Sequence, residues 1–411
     1  MSDGPTRIMV VDDNLAVAAT AKVLLENAGF DVTLCDSPIR ALAEIPDQRP
    51  DCVLLDIMMP GMDGLDVCRL LREREELANL KIVMFTAKAF KYDRSRAAEL
   101  GADGYIVKPI DPETFADQVK RLIADEIEVK FWGVRGTLPR PGQDSLRYGG
   151  NTSCVTLSYE NEPLIVFDAG SGIKNLSNAL MAKAEKRTQG KILISHPHWD
   201  HINALPFFAP LYVPGNDFEI IGAEQSGVTV RDFVTAQMDG VYFPITTREF
   251  GARVEFRDLR EGTYKIAGLD VETLLLSHPG NCLGYRINHK GRSVCYITDN
   301  ELFLPDSPYF SQEYEDRLSK FVEGADALIT DATYTDEEYP RFVGFGHSSV
   351  GQVAALAARA RVKTLYLFHH DPDQSDDDID RKLASAREAL MNNGGDSVNC
   401  VAPAEGDAIF V

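Results

Sequence analysis

The chain has no histidine before His196, although it carries eight from there to its end. Imidazole chemistry is therefore confined to the later part, and two regions of different chemistry are expected. Cysteine is sparse as well. The seven residues are odd in number and scattered, and no C-x-x-C occurs. That excludes a disulfide framework and reads as reduced thiols in apolar runs. No apolar run approaches the ~18–20 residues needed to cross a bilayer, and MSDGPTRIMVVDD lacks the pattern of a secretory signal. A soluble cytoplasmic protein with no membrane partner is expected. Positive charge is also short: 42 Lys and Arg face 63 Asp and Glu, a net charge of −21. Such a field repels phosphate backbones, and neither a helix-turn-helix pattern nor a basic stripe is present, so DNA is not an expected partner.

What is present starts with strand–helix alternation. Runs at 8–11, 31–35, 51–56, 81–87 and 104–108 read as strands. Helical spacing separates them at 15–29, 38–45, 65–75, 91–101 and finally 112–124. This is the pattern of a doubly wound, five-stranded parallel α/β sheet, whose functional groups sit at the carboxyl ends of the strands. Those ends carry Asp12, Asp13, Asp56, Thr86 and Lys108. Converging carboxylates are costly without a cation, and hard oxygen ligands with room for water suit Mg²⁺. A carboxylate beside that ion can attack a phosphoryl group to give an aspartyl phosphate, with Lys108 and Thr86 holding the phosphoryl oxygens.

The segment resembles the response-regulator receiver family along nearly its whole length, through VVDD (10–13), LLDIMMPGMDG (54–64), FTA (85–87) and VKP (107–109). The resemblance implies Asp56 as phosphoacceptor, with Asp12, Asp13 and the Met58 carbonyl as magnesium ligands. It also implies Thr86 and Tyr105 as the pair that reports phosphorylation, a cis Lys108–Pro109 peptide, and a sensor histidine kinase or phosphotransfer protein as partner. The last helix runs into DEIEVKFWG without a Gly/Ser- or Pro-rich linker, so the domains are expected at 1–125 and 126–411.

In the second region, strands at 191–196, 271–278, 293–299, 327–333 and 364–370 each end in or just before His or Asp. A sheet delivering such residues to one edge is a metal-site architecture. The densest signal is His196-Pro197-His198-Trp199-Asp200-His201. Alternate residues of an extended turn point the same way, so one metal can take His196 and His198. Asp200 and His201 then face a second. His278 can complete the first site and His369 the second, and Asp299 can serve both with its two oxygens. A lone histidine at a strand end is usually packing; this many polar groups buried together without a metal would be prohibitive.

H-x-H-x-D-H is the signature of the metallo-β-lactamase superfamily, and the resemblance covers nearly all of 127–411. An αββα sandwich is implied, most similar to ribonuclease Z and the related cyclic-nucleotide phosphodiesterases. By resemblance, Asp168 of FDAGSG (167–172) supports the metal loops from behind the ligands. TDNE (298–301) supplies the bridging Asp299. Asp331 of TDATY (330–334) stands where ribonuclease Z has a glutamate. In GHSSVGQVAALAARARVKTLYLFHH (346–370), His347 becomes a general acid or phosphate-binding cation. Two departures stand out. No basic, Gly/Pro-rich arm for transfer RNA is present, and His369-His370 offers two candidates for the last ligand, with His369 favoured.

These residues describe a two-component signalling enzyme. Phosphorylation at Asp56 would regulate a two-metal hydrolase (zinc or manganese, with iron a third candidate) acting on a small phosphodiester or cyclic nucleotide. Asp200 or Asp299 would orient the attacking water, and His347 would protonate the leaving oxygen. Hydrolysis of a thioester, lactone or phosphonate is the alternative, followed by a non-catalytic, metal-containing signalling module. Arg135, Arg140 and Arg147 read either as phosphate contacts or as strand and turn residues with solvated guanidinium groups. The aromatic, Pro-rich stretch 203–262 reads as loops over the site, serving as a lid or as a surface for a second copy of the chain.

Overall fold

The structure is a computed structural model and describes residues 5–88, 91–159, 162–182, 187–241 and 243–411. One compact unit runs to Glu126; the other comprises Ile127–Ser158 and Glu162–Val411.

In the first unit five parallel strands lie in the order Asp31–Cys35, Arg7–Val11, Cys52–Leu55, Lys81–Thr86, Gly104–Val107. Successive side chains of a strand point to opposite faces, and both faces here are apolar. Met9, Val11, Val53, Leu55, Ile82 and Met84 pack against the helices Pro38–Gln48 and Gly64–Arg72. Ile8, Val10, Leu54, Val83 and Phe85 pack against Leu15–Asn27 and Phe115–Ala124. The expected doubly wound sheet is thus present, with several helix boundaries shifted. The last helix starts at Phe115 rather than 112, because Asp111 turns the chain: its side chain accepts from Glu113 N–H and its carbonyl from Phe115 N–H. The helix expected to reach 75 ends at Arg72, and a single 3₁₀ turn follows at Glu75–Leu77. Lys108–Pro109 is cis.

The second unit stacks two seven-stranded sheets. The first runs Arg253–Leu259, Asp217–Ala223, Gln189–Leu193, Leu164–Phe167, Cys154–Ser158, Glu128–Gly133, Ala408–Phe410. The second runs Gly262–Ile266, Leu269–Leu275, Leu283–His289, Arg292–Ile297, Ala327–Asp331, Thr364–Phe368, Asn399–Val401. Aromatic side chains fill the space between them: Phe167 stacks on Tyr296 at 4.9 Å and meets Tyr285 at 5.9 Å, and Phe131 meets Tyr366 at 5.8 Å. Helices cover the outer faces, Ile173–Ala182 and Val230–Gln237 on the first sheet, Val350–Arg359 and Asp376–Asn392 on the second. This is the αββα sandwich.

The stretch 203–262 departs from the loop reading. It contains the strand Asp217–Ala223, the helix Val230–Gln237 and the edge strand Arg253–Leu259. Leu205, Phe208 and Leu211 are fully buried in the core beneath the first sheet. Phe208, Phe218 and Phe233 are hydrophobic core and not lid, whereas Phe207, paired edge-on with Phe243, is exposed. No described helix is long and apolar enough to cross a membrane.

Candidate functional site

The histidines and acids of the second unit converge from the ends of strands in both sheets, not from one sheet edge. His196, His198, Asp200 and His201 follow Gln189–Leu193 of the first sheet. His278, Asp299, Asp331 and His369 end or follow strands of the second. Two groups of donor atoms result, His196–His198–His278–Asp299 and Asp200–His201–Asp299–His369, each within 4.8 Å. Asp299 belongs to both. A carboxylate has two oxygens: Oδ1 lies 3.1 Å from both His201 Nε2 and His369 Nε2, and Oδ2 lies 3.5 Å from His196 Nε2.

The donors have the character of ligands. Nε2 of His196 and of His201 are buried and make no hydrogen bond, and a buried orphaned polar atom is costly. His278 Nε2 faces His198 Nδ1 at 3.1 Å. Burial holds His196 well below the usual imidazole range and lowers His198 and His278 as well, which leaves their lone pairs available. Around His201 burial works the same way, but Asp299, Asp200 and Asp168 outweigh it and push the ring well above its usual value. Burial would raise Asp299, yet His201, His369 and His196 hold it well below the carboxylate range. The field at this point favours positive charge, and the donor set fits divalent metal.

Behind the donors lies a set of fixed partners. Asp168 is fully buried and accepts from Ser195 N–H at 2.7 Å, Tyr296 OH at 2.8 Å and His201 Nδ1 at 2.7 Å. With Nδ1 holding a proton for Asp168, His201 presents Nε2 inward. Thr137 N–H donates to Asp200 Oδ2 at 2.7 Å. Thr333 Oγ1 donates to the His369 carbonyl at 2.8 Å. Asp168, Asp299 and His369 all have positive φ, of 58°, 26° and 59°. Such strain persists only where surroundings over-determine it, and it clusters at working sites. Gly136 is needed beside them, since a Cβ there would collide with the His369 ring.

The choice between His369 and His370 falls to geometry. His369 Nε2 lies 3.1 Å from Asp200 Oδ2, whereas His370 points away into a buried pocket near Tyr148, Arg135 and Lys382. His347 sits outside the two donor groups. Its Nδ1 meets Asp331 Oδ2 at 2.8 Å, and its ring stacks on His369 at 5.0 Å. Burial disfavours its charge, but Asp331 prevails and lifts it to about 9.

The three arginines are not where a phosphate would meet them. Arg135 is fully buried and donates to the carbonyls of Gly149 and Gln374. Arg140 donates to the Pro372 carbonyl, and Arg147 pairs with Asp377 and Asp380. They tie the segment 135–149 to the loop after His370 and to the first turns of the helix Asp376–Asn392. A guanidinium has five donors in a fixed fork, and loop carbonyls satisfy it as well as phosphate does. Sequence reading also missed Ser195, Tyr296, Thr333 and Glu301. Thr333 and Glu301 lie in TDATY and TDNE, but the partners that give them a place, the His369 carbonyl and the segment 339–346, are far along the chain.

In the first unit, Asp12, Asp13 and Asp56 bring their oxygens within 4.8 Å of one another. Lys108 Nζ lies 2.6 Å from Asp12 and 3.5 Å from Asp56. Asp56 Oδ1 is buried without a hydrogen-bond partner, the mark of an atom kept for a ligand. Thr86 is fully buried, and Tyr105 is turned inward, its hydroxyl donating to the Lys88 carbonyl at 2.9 Å. Met58 follows with its side chain exposed.

Sheet order, sandwich and donor set together define a receiver joined to a metallo-β-lactamase-fold domain, a fold that implies divalent-metal binding. The family described as "Beta-lactamase superfamily domain" matches residues 164–370, and "Response regulator receiver domain" matches 8–120. The chain belongs to the beta-lactamase superfamily, with a response-regulator receiver domain at its amino end. The DNA-binding response regulator MtrA of Mycobacterium tuberculosis is 42% identical over 114 residues, 28% of this chain and 49% of that one. The alkaline phosphatase synthesis transcriptional regulatory protein PhoP of Bacillus subtilis is 35% identical over 117 residues, 28% of this chain and 48% of that one. The chain thus spans about half the length of these curated relatives, through the receiver. For the second unit, the metallo-beta-lactamase fold protein YhfI of Bacillus subtilis superposes with a TM-score of 0.52 at 16% identity, covering 70% of this chain and 100% of that one. That likeness concerns the fold.

Proposed function

We propose that the chain is a cytoplasmic two-component signalling enzyme in which phosphorylation of Asp56 regulates a two-metal phosphodiesterase acting on a small phosphodiester or cyclic nucleotide. One observation carries the catalytic part: a single carboxylate, Asp299, belongs to two adjoining donor groups, with the His347–Asp331 pair beside them. His196, His198, His278 and Asp299 would hold one ion, and Asp200, His201, His369 and Asp299 the other. Zinc and manganese suit such donors, with iron as a further candidate. When bound, the ions polarise the phosphoryl group and lower the pKa of water. Asp200 and Asp299 orient the attacking water and accept its proton. Asp331 holds His347 by Nδ1, so the proton on Nε2 serves the leaving oxygen. Asp168 keeps His201 in one tautomer throughout.

In the receiver, Asp12, Asp13, Asp56 and the Met58 carbonyl would hold Mg²⁺, and Asp56 takes a phosphoryl group from a histidine kinase or phosphotransfer protein. Lys108 and Thr86 then bind its oxygens, and Thr86 and Tyr105 report the change. The effect on hydrolysis equals the difference in contacts between the receiver's two states.

A second reading, hydrolysis of a thioester or lactone, is favoured by one observation. Arg135, Arg140 and Arg147, the candidate phosphate contacts, are spent on carbonyls and carboxylates. The two are separated by turnover of bis(p-nitrophenyl) phosphate against a thioester and lactone panel, using metal-quantified protein. Preferred phosphodiester turnover that needs about two ions per chain supports the first reading, and thioester or lactone turnover alone supports the second.

A further inference from the structure

Glu301 takes no part in the chemistry above, yet its carboxylate is almost fully buried, 1% exposed. Burying a carboxylate is expensive unless its oxygens are satisfied, and here three donors converge on it. Oε1 accepts from Tyr339 OH at 2.9 Å and from Gly344 N–H at 2.7 Å; Oε2 accepts from Gly346 N–H at 2.8 Å. These donors all belong to the segment 339–346, which lies next to His347 in the chain.

The last contact leads to the metal site. The Gly346 carbonyl stands 3.0 Å from His278 Nδ1. A carbonyl only accepts, so Nδ1 carries the proton and Nε2 keeps the lone pair turned toward His198 and Asp299. Gly346 has φ +88°, and a Cβ there would collide with His278 Nδ1. The glycine is therefore fixed in place from one side by Glu301 and from the other by the histidine. Backbone bonds close the loop: Glu301 N–H donates to the Ser277 carbonyl at 2.8 Å, immediately before His278.

We infer that Glu301 is a positioning residue for His278, setting its tautomer and place through Gly346, and so tunes one of the two metal sites and not the other. The proposal rests on the two-metal reading of the site. The His201 site has its own support in Asp168, which makes no contact with this loop. The conservative change Glu301→Gln keeps shape and volume but puts an amide N–H group against one of the three donors.

The test is calorimetric titration of the metal-free full-length chain with Zn²⁺, for wild type, Glu301→Gln, His278→Ala and the double variant. Wild type is expected to take two equivalents. Glu301→Gln should weaken one of them by about 10–100-fold, the usual cost of losing a ligand's outer partner, and leave the other unchanged. The double variant should lose no more than His278→Ala alone, since both changes act on one site. Two sites of wild-type affinity in folded Glu301→Gln, or equal weakening of both, overturns the inference while the metal centre stands. Wild type that takes up no ion overturns the two-metal reading itself, and the inference with it. If Glu301→Gln does not fold, Gly346→Ala strikes the same link from the histidine's side, with the same outcomes deciding.

Discussion

Both units place their working groups at the carboxyl ends of strands, yet the two sites are built on opposite terms. The receiver gathers three carboxylates and balances them with one cation, Lys108; Asp13 is exposed, and Asp56 keeps an oxygen without a partner. Little holds the site shut, which suits ligands that come and go. The sandwich instead surrounds its carboxylates with imidazoles, buries nearly all of them and sets three residues at positive φ. At about 1–3 kcal/mol of strain for each such residue, that geometry is maintained by its surroundings. On the proposed reading, one site is open to modification and the other is held as it is.

The comparison breaks most visibly at a ligand. His198→Ala should reduce bound metal below two equivalents and lower hydrolysis by more than about 100-fold, beyond the loss expected for an outer partner, while the receiver still takes up phosphoryl from acetyl phosphate. Metal analysis and phosphate labelling of one preparation check both halves. Asp168→Ala comes next, with metal affinity falling by about 10–100-fold at the His201 site, measured by competition with a chromophoric chelator.

Lys382 gives a pH-dependent prediction. Its Nζ is fully buried and donates to the carbonyls of Ala332 at 2.6 Å and Thr333 at 3.0 Å, just behind His369. Burial lowers its pKa from 10.5 to about 7, against the pull of Asp331. The unfolded chain then binds a proton that the folded chain releases, so this residue's contribution to stability rises with pH. The stability of wild type minus that of Lys382→Met should climb between about pH 7 and 10.5, by up to ~1.4 kcal/mol per unit, and be flat below 7. Urea unfolding across that range measures it; a slope of opposite sign would place the charge elsewhere. The smallest effect on hydrolysis is expected from Asp56→Ala, which should leave the metal content of the second unit at the wild-type level while removing phosphoryl uptake and weakening Mg²⁺ binding at the receiver.

The receiver was almost wholly legible because its information is local. Each strand alternates between two apolar faces, and Asp12, Asp13, Asp56, Thr86 and Lys108 end or directly follow one. H-x-H-x-D-H was legible for the same reason: four donors within six residues leave little else to explain them. What was not legible has two sources, distance along the chain and local irregularity. Arg135 meets the Gln374 carbonyl 239 residues away, and nothing near Arg135 distinguishes a guanidinium bound for a carbonyl from one bound for phosphate. The apolar stretch 203–262 looked like exposed loops because Leu205, Phe208 and Leu211 bury themselves through irregular 3₁₀ turns that carry no clean period. Glu301 sits two residues after Asp299, but its role depends on a loop more than forty residues later.

The central claim is that one chain couples phosphorylation at Asp56 to a two-metal hydrolase. Its most direct test is steady-state bis(p-nitrophenyl) phosphate hydrolysis by metal-quantified protein, with and without acetyl phosphate and Mg²⁺, for wild type and Asp56→Ala. Turnover is expected to require the bound metal and to change with acetyl phosphate in wild type alone. A response of the same size in Asp56→Ala, or no turnover from fully metallated protein, would contradict it.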